Sequence, residues 1–306
     1  MKVTKVTFAS ACMNVALDKK INLAKILKGI DEAASNGANL IVFPEQCLQG
    51  YLTSVVAMDM SGGESDEFEY QYKNAEVLPD GPSVRAIIQK AAEKNIYVIF
   101  GMTEKDAEID YKLYNTAVLV GPEGYIGKYR KVHQPADELH IYYGGKDFPV
   151  FDTQIGKIGM LICYDKWFPE TTRELVLSGA DILALCTATA FSNPEAADYK
   201  TDYAFYTFEL MDRVRALENH TFFIAANQVE WSGKSRYFGN SKIVLPNGRV
   251  AVESGFGEKI VYYTTNNMQG EIYAAKHSFA GLSFMKDRHP KLYEKTGEES
   301  LYSNYN

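Results

Sequence analysis

Three side chains suited to nucleophilic chemistry stand just beyond strand-like runs of this sequence. Leu40-Ile41-Val42-Phe43-Pro44-Glu45 delivers a carboxylate, Tyr125-Ile126-Gly127-Lys128-Tyr129-Arg130-Lys131 an ammonium, and Ile158-Gly159-Met160-Leu161-Ile162-Cys163 a thiol. Strand ends are where open α/β sheets gather their ligands. Singly, each residue has a plain structural explanation. A Cys closing an apolar strand is most often a small core residue. A Glu after Phe-Pro caps a helix or meets solvent, and Lys131 beside Arg130 and Lys128 fits a solvated basic face. Together they supply a nucleophile, a base and a cation for an oxyanion, the set that hydrolysis of an unactivated amide requires. On spacing alone both readings stand. Tyr164, Trp167 and Phe168 follow the thiol and fit either a pocket wall or a packed strand–helix junction. Tyr51 and Phe191 stand after other strand ends.

The elements that must position these residues form a duplicated pattern. In the first half, Lys2–Ala11 reads as a strand and Asp18–Asn36 as a helix, with Ile21, Ala24, Leu27 and Ile30 at helical spacing and Gly37 as its stop. The apolar run Asn39–Phe43 is the next strand, Ser83–Lys94 a helix and Ile96–Thr103 a strand. Asn115–Tyr129 reads as two strands around a Gly121-Pro122-Glu123-Gly124 turn. The second half repeats the order: strand Lys157–Cys163, helix Pro169–Ser178, strand Ile182–Leu185, a long helix through Arg213–Asn219, strand Thr221–Asn227, and a hairpin over Ser241–Val252. Alternating strands and helices predict a layered α/β architecture. Two such units related by a pseudo-twofold axis place two sheets back to back with helices outside.

Two stretches depart from the repeat. Asp59–Glu76 shows no helical or strand period and is expected to be an acidic surface loop, with a lid over a cationic substrate as its functional alternative. Residues 1–270 are expected to form a single domain. Residues 271–306 form a tail whose aromatic residues (Tyr273, Phe279, Phe284, Tyr293) are expected to pack on a neighbouring subunit.

A single domain of 306 residues buries roughly 75% of its unfolded surface, so it needs no disulfide staples. Cys12, Cys47, Cys163 and Cys186 have neither framework nor metal-type spacing, which predicts free thiols in a reducing compartment. No apolar run approaches the ~20 residues that span a bilayer. A net charge of -7 argues against non-specific binding to nucleic-acid phosphates. A soluble, cytoplasmic homodimer or larger homo-oligomer acting on a small molecule is the expectation.

Phe43-Pro44-Glu45, Tyr129-Arg130-Lys131-Val132-His133 and Cys163-Tyr164-Asp165-Lys166-Trp167-Phe168-Pro169-Glu170 resemble, in order, the three signature blocks of the nitrilase or carbon–nitrogen hydrolase superfamily. Arg215-Ala216-Leu217-Glu218-Asn219 resembles its further Arg-Ala-x-Glu-Asn helix block. The resemblance implies a four-layer αββα sandwich, in agreement with the duplicated pattern, and a catalytic triad of Glu45, Lys131 and Cys163. It also implies an accessory carboxylate in Asp137-Glu138-Leu139. That role is carried to Glu138, with the adjacent Asp137 as the alternative. In the implied scheme Glu45 is the general base and Lys131 and the Tyr164 backbone N–H meet the oxyanion. Tyr51, Trp167 and Phe191 are candidate substrate contacts, and no metal or organic cofactor is required.

The residues around the nucleophile narrow the bond that is cleaved. Nitrilases proper commonly carry Cys-Trp-Glu, whereas this chain has Cys163-Tyr164-Asp165. The following Asp165-Lys166-Trp167-Phe168-Pro169-Glu170 is similar to the Asp-x-Trp-Phe-Pro-Glu of N-carbamoylputrescine amidases, and Asp287-Arg288-His289-Pro290-Lys291-Leu292-Tyr293 resembles a tail segment of that group. The segment Thr187-Ala188-Thr189-Ala190-Phe191 lacks the usual proline, and Phe208 stands where Trp is common. The resemblance therefore implies a cysteine hydrolase of a small amide or N-carbamoyl bond. A nitrilase, a non-catalytic scaffold and an acyltransferase are the alternatives.

Overall fold

The computed structural model describes residues 5–51, 66–195, 199–233, 235–278 and 282–297. Two six-stranded sheets form its centre. The first contains β1 (Val6–Cys12), β2 (Leu40–Val42), β3 (Tyr97–Lys105), β4 (Leu113–Gly121), β5 (Gly124–Arg130) and, closing the list at the far end of the chain, β14 (Lys259–Thr265), in the order β14-β1-β2-β3-β4-β5. The second contains β6 (Val150–Thr153), β7 (Gly156–Ile162), β8 (Ile182–Thr187), β9 (Phe222–Asn227), β12 (Lys242–Val244) and β13 (Val250–Glu253), in the order β13-β12-β9-β8-β7-β6. A separate hairpin joins β10 (Val229–Ser232) to β11 (Ser235–Phe238).

The two orders are the same topology run twice. Three parallel strands, β1-β2-β3 or β7-β8-β9, continue into an antiparallel hairpin, and one antiparallel strand, β14 or β6, flanks the first of them. The predicted strand-helix-strand-helix-strand-hairpin repeat is thus the αββα sandwich. The flanking strands and the β10–β11 hairpin carried too little pattern to be read from sequence.

Alternation along the strands builds the four layers. Leu40 and Val42 point inward to meet Ile158, Met160, Ile182 and Phe222 of the opposing sheet. Ile41 points outward, beneath Ile26 and Ile30 of α1 (Lys19–Ser35) and Val84 and Ile87 of α3 (Pro82–Lys94). In the other half Leu183 and Leu185 pack beneath Leu175 of α4 (Pro169–Leu177) and Phe208 and Ala216 of α5 (Tyr203–Asn219). Strands covered on both faces read as continuous apolar runs, and these runs were the legible signal. Asp18 caps α1 by accepting from the Lys20 and Ile21 N–H groups, and Gly37 takes the left-handed conformation that ends it.

The expected loop over Asp59–Glu76 is corrected where it is described. Asp66–Asn74 is a helix, α2, while residues 59–65 lie outside the described residues. Phe68, Tyr72 and Ala75 pack on Leu113, Ile141 and Tyr142, but the same face carries the fully buried Gln71. A buried amide within the stripe hides the period. Gln71 donates to the Gly50 carbonyl and accepts from Thr103, and Glu76 accepts from Ser83 and Lys19. This part of the segment is therefore a packed helix and not a loop.

Helix α6 (Met268–Lys276) spans the expected start of the tail, and its Ile272 joins the intersheet core. Beyond it, Phe284 stacks on His220 with ring centroids 4.9 Å apart, so part of the tail packs on its own chain. Tyr273, Phe284 and Tyr293 retain exposed surface, and Phe279 lies outside the described residues. Among the described residues no helix is long and apolar enough to cross a membrane.

Candidate active site

The carboxylate of Glu45 sits where the two sheets meet. Just after β2 the chain turns through Pro44, and this turn lies against β3 at Gly101. A Cβ on Gly101 would stand 2.5 Å from the Gln46 nitrogen and 2.7 Å from the Glu45 Cα, so only glycine admits the close approach. Across the interface the Glu45 N–H donates to the Thr187 carbonyl at 3.3 Å, and Gln228 Nε2 donates to the Glu45 carbonyl at 2.9 Å. The side chain is completely buried. Its Oε1 accepts from Lys131 Nζ and from Asn115 Nδ2, both at 2.8 Å, and its Oε2 accepts from the Ala188 N–H at 2.9 Å.

Lys131 follows β5 and is held by its own N–H, which donates to the Asn115 carbonyl at 2.9 Å. Its ammonium has no solvent exposure and lies between two carboxylates, Glu45 at 2.8 Å and Glu138 at 2.5 Å. Glu138 is placed by the short 3-10 turn Ala136–His140. Its Oε1 also accepts from the Tyr51 hydroxyl at 2.7 Å, and its Oε2 from Asn115 Nδ2 at 3.1 Å. Glu138 of the expected Asp137-Glu138-Leu139 segment therefore meets the lysine.

Burial alone would depress the Lys131 ammonium. The Glu138 and Glu45 charges outweigh it and hold the group well above its ordinary value. Burial also raises the Glu45 carboxyl, against the pull of Lys131 and with a further push from Glu138.

Cys163 is the one partly accessible cysteine of the four, and all four are free thiols. The strand before it ends at Ile162, one residue earlier than the sequence reading placed it. Cys163 instead opens a 3-10 turn, Cys163–Trp167, with φ at 44°. A non-glycine residue in this region is strained, and a sharp strand-to-helix turn of this kind projects a nucleophile out of the sheet.

The surrounding residues hold the turn. Asp165 Oδ2 accepts from the Ile162 N–H at 3.0 Å and from the Tyr129 hydroxyl at 2.8 Å, while Oδ1 accepts from the His133 N–H at 3.1 Å. Arg215 donates through Nε to the Lys166 carbonyl at 2.7 Å and through Nη2 to the Trp167 carbonyl at 3.1 Å. Burial pushes the Cys163 thiol up to about 11, and the Glu45 carboxylate adds to the rise. Lys131 and the Thr187 hydroxyl oppose it.

The structure thus brings Glu45, Lys131, Glu138 and Tyr51 into one hydrogen-bonded group, with Cys163 within reach of its charges. Tyr164 follows directly in the turn, its ring edge-on to Phe168 at 5.1 Å. Trp167 is 37% exposed. Phe191 stands in an aromatic cluster with Phe238 and Phe256, two residues past Thr189, whose hydroxyl lies 4.0 Å from Cys163 Sγ. Asn115, Ala188 and Thr189 were missed from sequence. Nothing in the spacing of an Asn within a strand or of a backbone N–H marks it as a partner of a distant carboxylate. Asp165 and Arg215 stood inside recognised blocks, but their holding roles depend on contacts across elements.

Comparison with known proteins follows the same lines. Residues 5–272 match the family model described as carbon-nitrogen hydrolase. The chain is 31% identical over 291 residues to a Schizosaccharomyces pombe protein named "probable nitrilase", a match covering 93% of this chain and 97% of the relative. It is 32% identical over 256 residues to an omega-amidase of Xenopus laevis, covering 79% of this chain and 82% of that one. A solved carbon-nitrogen hydrolase from Helicobacter pylori G27 superimposes with a TM-score of 0.81 at 21% identity, over 97% of this chain and 100% of the other, which speaks for the fold. With the family match running from β1 into α6, the chain belongs to the carbon-nitrogen hydrolase family.

Proposed function

We propose that the protein is a thiol-dependent hydrolase that cleaves a non-peptide amide or N-carbamoyl C–N bond of a small molecule through a thioester on Cys163. The observation that carries this reading is the buried Glu45–Lys131–Glu138 cluster, facing a partly accessible thiol on a strained turn. A fully buried lysine between two carboxylates is costly to assemble, and perturbed groups of this kind concentrate at reactive sites.

In the first step the Cys163 sulfur bonds to the carbonyl carbon as Glu45 takes the thiol proton. General-base assistance contributes ~10²–10⁴ in rate. The oxyanion is met by the Lys131 ammonium and the Tyr164 N–H, and one such donor is worth about 2.7–4 kcal/mol in the transition state. The C–N bond then breaks, and Glu45 passes its proton to the departing amine or ammonia. In the second step water gives a proton to Glu45 and its oxygen to the acyl carbon. The C–S bond breaks, the acid departs, and the proton returns to the sulfur. Glu138 and Asn115 keep Lys131 and Glu45 in register, and the scheme uses no cofactor.

Nitrile cleavage by the same thiol is the second reading, favoured by the name of the S. pombe relative. Intact-protein mass spectrometry after incubation with amides, ureido compounds and nitriles tests the proposal. An acyl adduct on the wild-type chain that is absent from Cys163→Ala is expected. Turnover undiminished in Cys163→Ala would overturn it. The expected homo-oligomer finds support in exposed Tyr203, Tyr206, Leu210 and Leu217, which share one face of α5 by helical spacing. Light scattering of the purified chain tests that association.

A further inference from the structure

We propose that the hydroxyl pair of Thr187 and Thr189 belongs to the catalytic site, where it keeps one hydrogen bond on the Cys163 sulfur whenever that atom carries negative charge. The proposal rests on the proposed chemistry of Cys163 and adds two residues to it. Thr187 is the last residue of β8 and is completely buried, and Thr189 is half-buried just beyond it. Their hydroxyl oxygens lie 2.7 Å apart, and Thr189 Oγ1 stands 4.0 Å from Cys163 Sγ.

Counting hydrogens gives the pair its role. Two hydroxyls own two hydrogens, and the bond between them uses one. Among the described residues, the hydrogen bonds of these hydroxyls reach each other and the Cys163 sulfur, so the second hydrogen has the sulfur as its acceptor. A neutral thiol accepts weakly, whereas a bond to an ionised acceptor is roughly twice as strong. Burial and the Glu45 charge push the thiol up, and the Thr187 hydroxyl pulls with Lys131 in the opposite sense. The sulfur is charged twice in the reaction, as its proton leaves for Glu45 and as the C–S bond breaks. The threonines keep their own protons throughout, and the proton that returns to the sulfur is the one held by Glu45.

The backbone fixes the pair in advance. Fully buried Asn227 accepts from the Thr189 N–H through Oδ1 at 2.8 Å and donates through Nδ2 to the Thr189 carbonyl at 3.1 Å. Between the two threonines, the Ala188 N–H donates to Glu45 Oε2 at 2.9 Å. Residues 187–189 thus meet the base through their backbone and the nucleophile through their side chains. A donor already in place needs no reorganisation when charge develops.

Valine has the shape of threonine without the hydroxyl, so it separates this role from packing. The test labels Cys163 with iodoacetamide between about pH 7 and about pH 10, a range below the thiol's midpoint of about 11. It also times thioester formation from whichever amide or ureido compound acylates wild type. Both are followed by mass spectrometry in wild type, Thr187→Val/Thr189→Val and Thr187→Ser/Thr189→Ser, with thermal unfolding to check each fold. A hydrogen bond to a charged group is worth about tenfold or more, so the thiolate fraction of the valine pair should fall by that factor. The greater nucleophilicity of a more basic sulfur returns about threefold. The valine pair is therefore expected to label about threefold slower at each pH and to acylate about tenfold slower, and the serine pair to recover both. Thr189→Val alone, expected to label between wild type and the double variant, keeps the test open where the double variant unfolds. Wild-type labelling in the valine variants, or a serine pair as slow as the valine pair, would overturn the hydroxyls' role and leave the thiol chemistry standing. No acyl adduct on wild type from any compound would overturn the hydrolase reading and the catalytic role of the pair with it.

Discussion

Glu45 and Glu138 are joined twice: Lys131 Nζ donates to both, at 2.8 and 2.5 Å, and Asn115 Nδ2 donates to both, at 2.8 and 3.1 Å. One ammonium therefore serves two buried carboxylates, and one neutral amide spans the same pair. This arrangement fixes the direction of several effects.

Removing the shared cation should leave two carboxylates facing each other in a buried site. Lys131→Met is expected to lose about 3–5 kcal/mol of stability, measured by urea unfolding. The sign of its pH dependence follows from linkage. Without the ammonium, the folded state keeps a carboxyl protonated to higher pH than the unfolded chain, whose Glu titrates near about 4.3. Stability of the variant thus falls as pH rises through that folded value, and its deficit should widen between about pH 5 and about pH 8. A deficit that narrows over that range would contradict the two-carboxylate account.

The Cys163 thiol, pushed up to about 11 by burial and by Glu45, should alkylate slowly at neutral pH. Iodoacetamide labelling followed by mass spectrometry should accelerate with pH towards that value. Glu45→Gln removes a neighbouring negative charge and should shift the profile down, while slowing turnover by ~10²–10⁴. Lys131→Met removes the opposing cation and should shift it up. Shifts in the same direction for both variants would rule out electrostatic control of the sulfur.

Asn115 offers a test of how far the pair depends on its neutral bridge. The residue is fully buried, and its Oδ1 has no partner among the described residues. Asn115→Ala deletes the donor to both carboxylates and should cost about 1.5–3 kcal/mol. If the amide positions Glu45 for proton transfer, kcat should fall more than KM rises. An unchanged kcat with lowered stability would restrict Asn115 to a structural role.

At Gly101 the clash of an added Cβ is with backbone, at Gln46, Glu45 and Pro44, and backbone cannot rotate aside. Gly101→Ala is expected to lose about 1–3 kcal/mol by overpacking. A displacement of about 1 Å at Glu45 would cost ~10²-fold in rate, so thioester formation should slow far more than the stability loss implies. Wild-type acylation kinetics in this variant would mean that the Glu45 turn can shift freely.

Much of the architecture was legible because strands buried on both faces, such as those holding Leu40–Val42 and Ile182–Leu185, must be largely apolar. The helices between them keep their period and their stops. Helix α2 was not legible, because buried Gln71 interrupts the stripe made by Phe68, Tyr72 and Ala75. The β10–β11 hairpin has Glu230 and Trp231 exposed side by side in the middle of β10, while Val229, Tyr237 and Phe238 are buried, so it lacks the alternation that marks a strand.

The sequence by itself determined that a carboxylate, an ammonium and a thiol would each stand at a strand end, since strand length and turn residues are local properties. Only the tertiary structure decided how they are joined. Asn115 bridges Glu45 and Glu138, Ala188 binds the other oxygen of Glu45, and Asp165 with Arg215 holds Cys163 in its left-handed turn. These bonds link residues far apart in the chain, and their geometry exists only once the two sheets have packed and excluded water from the charges between them.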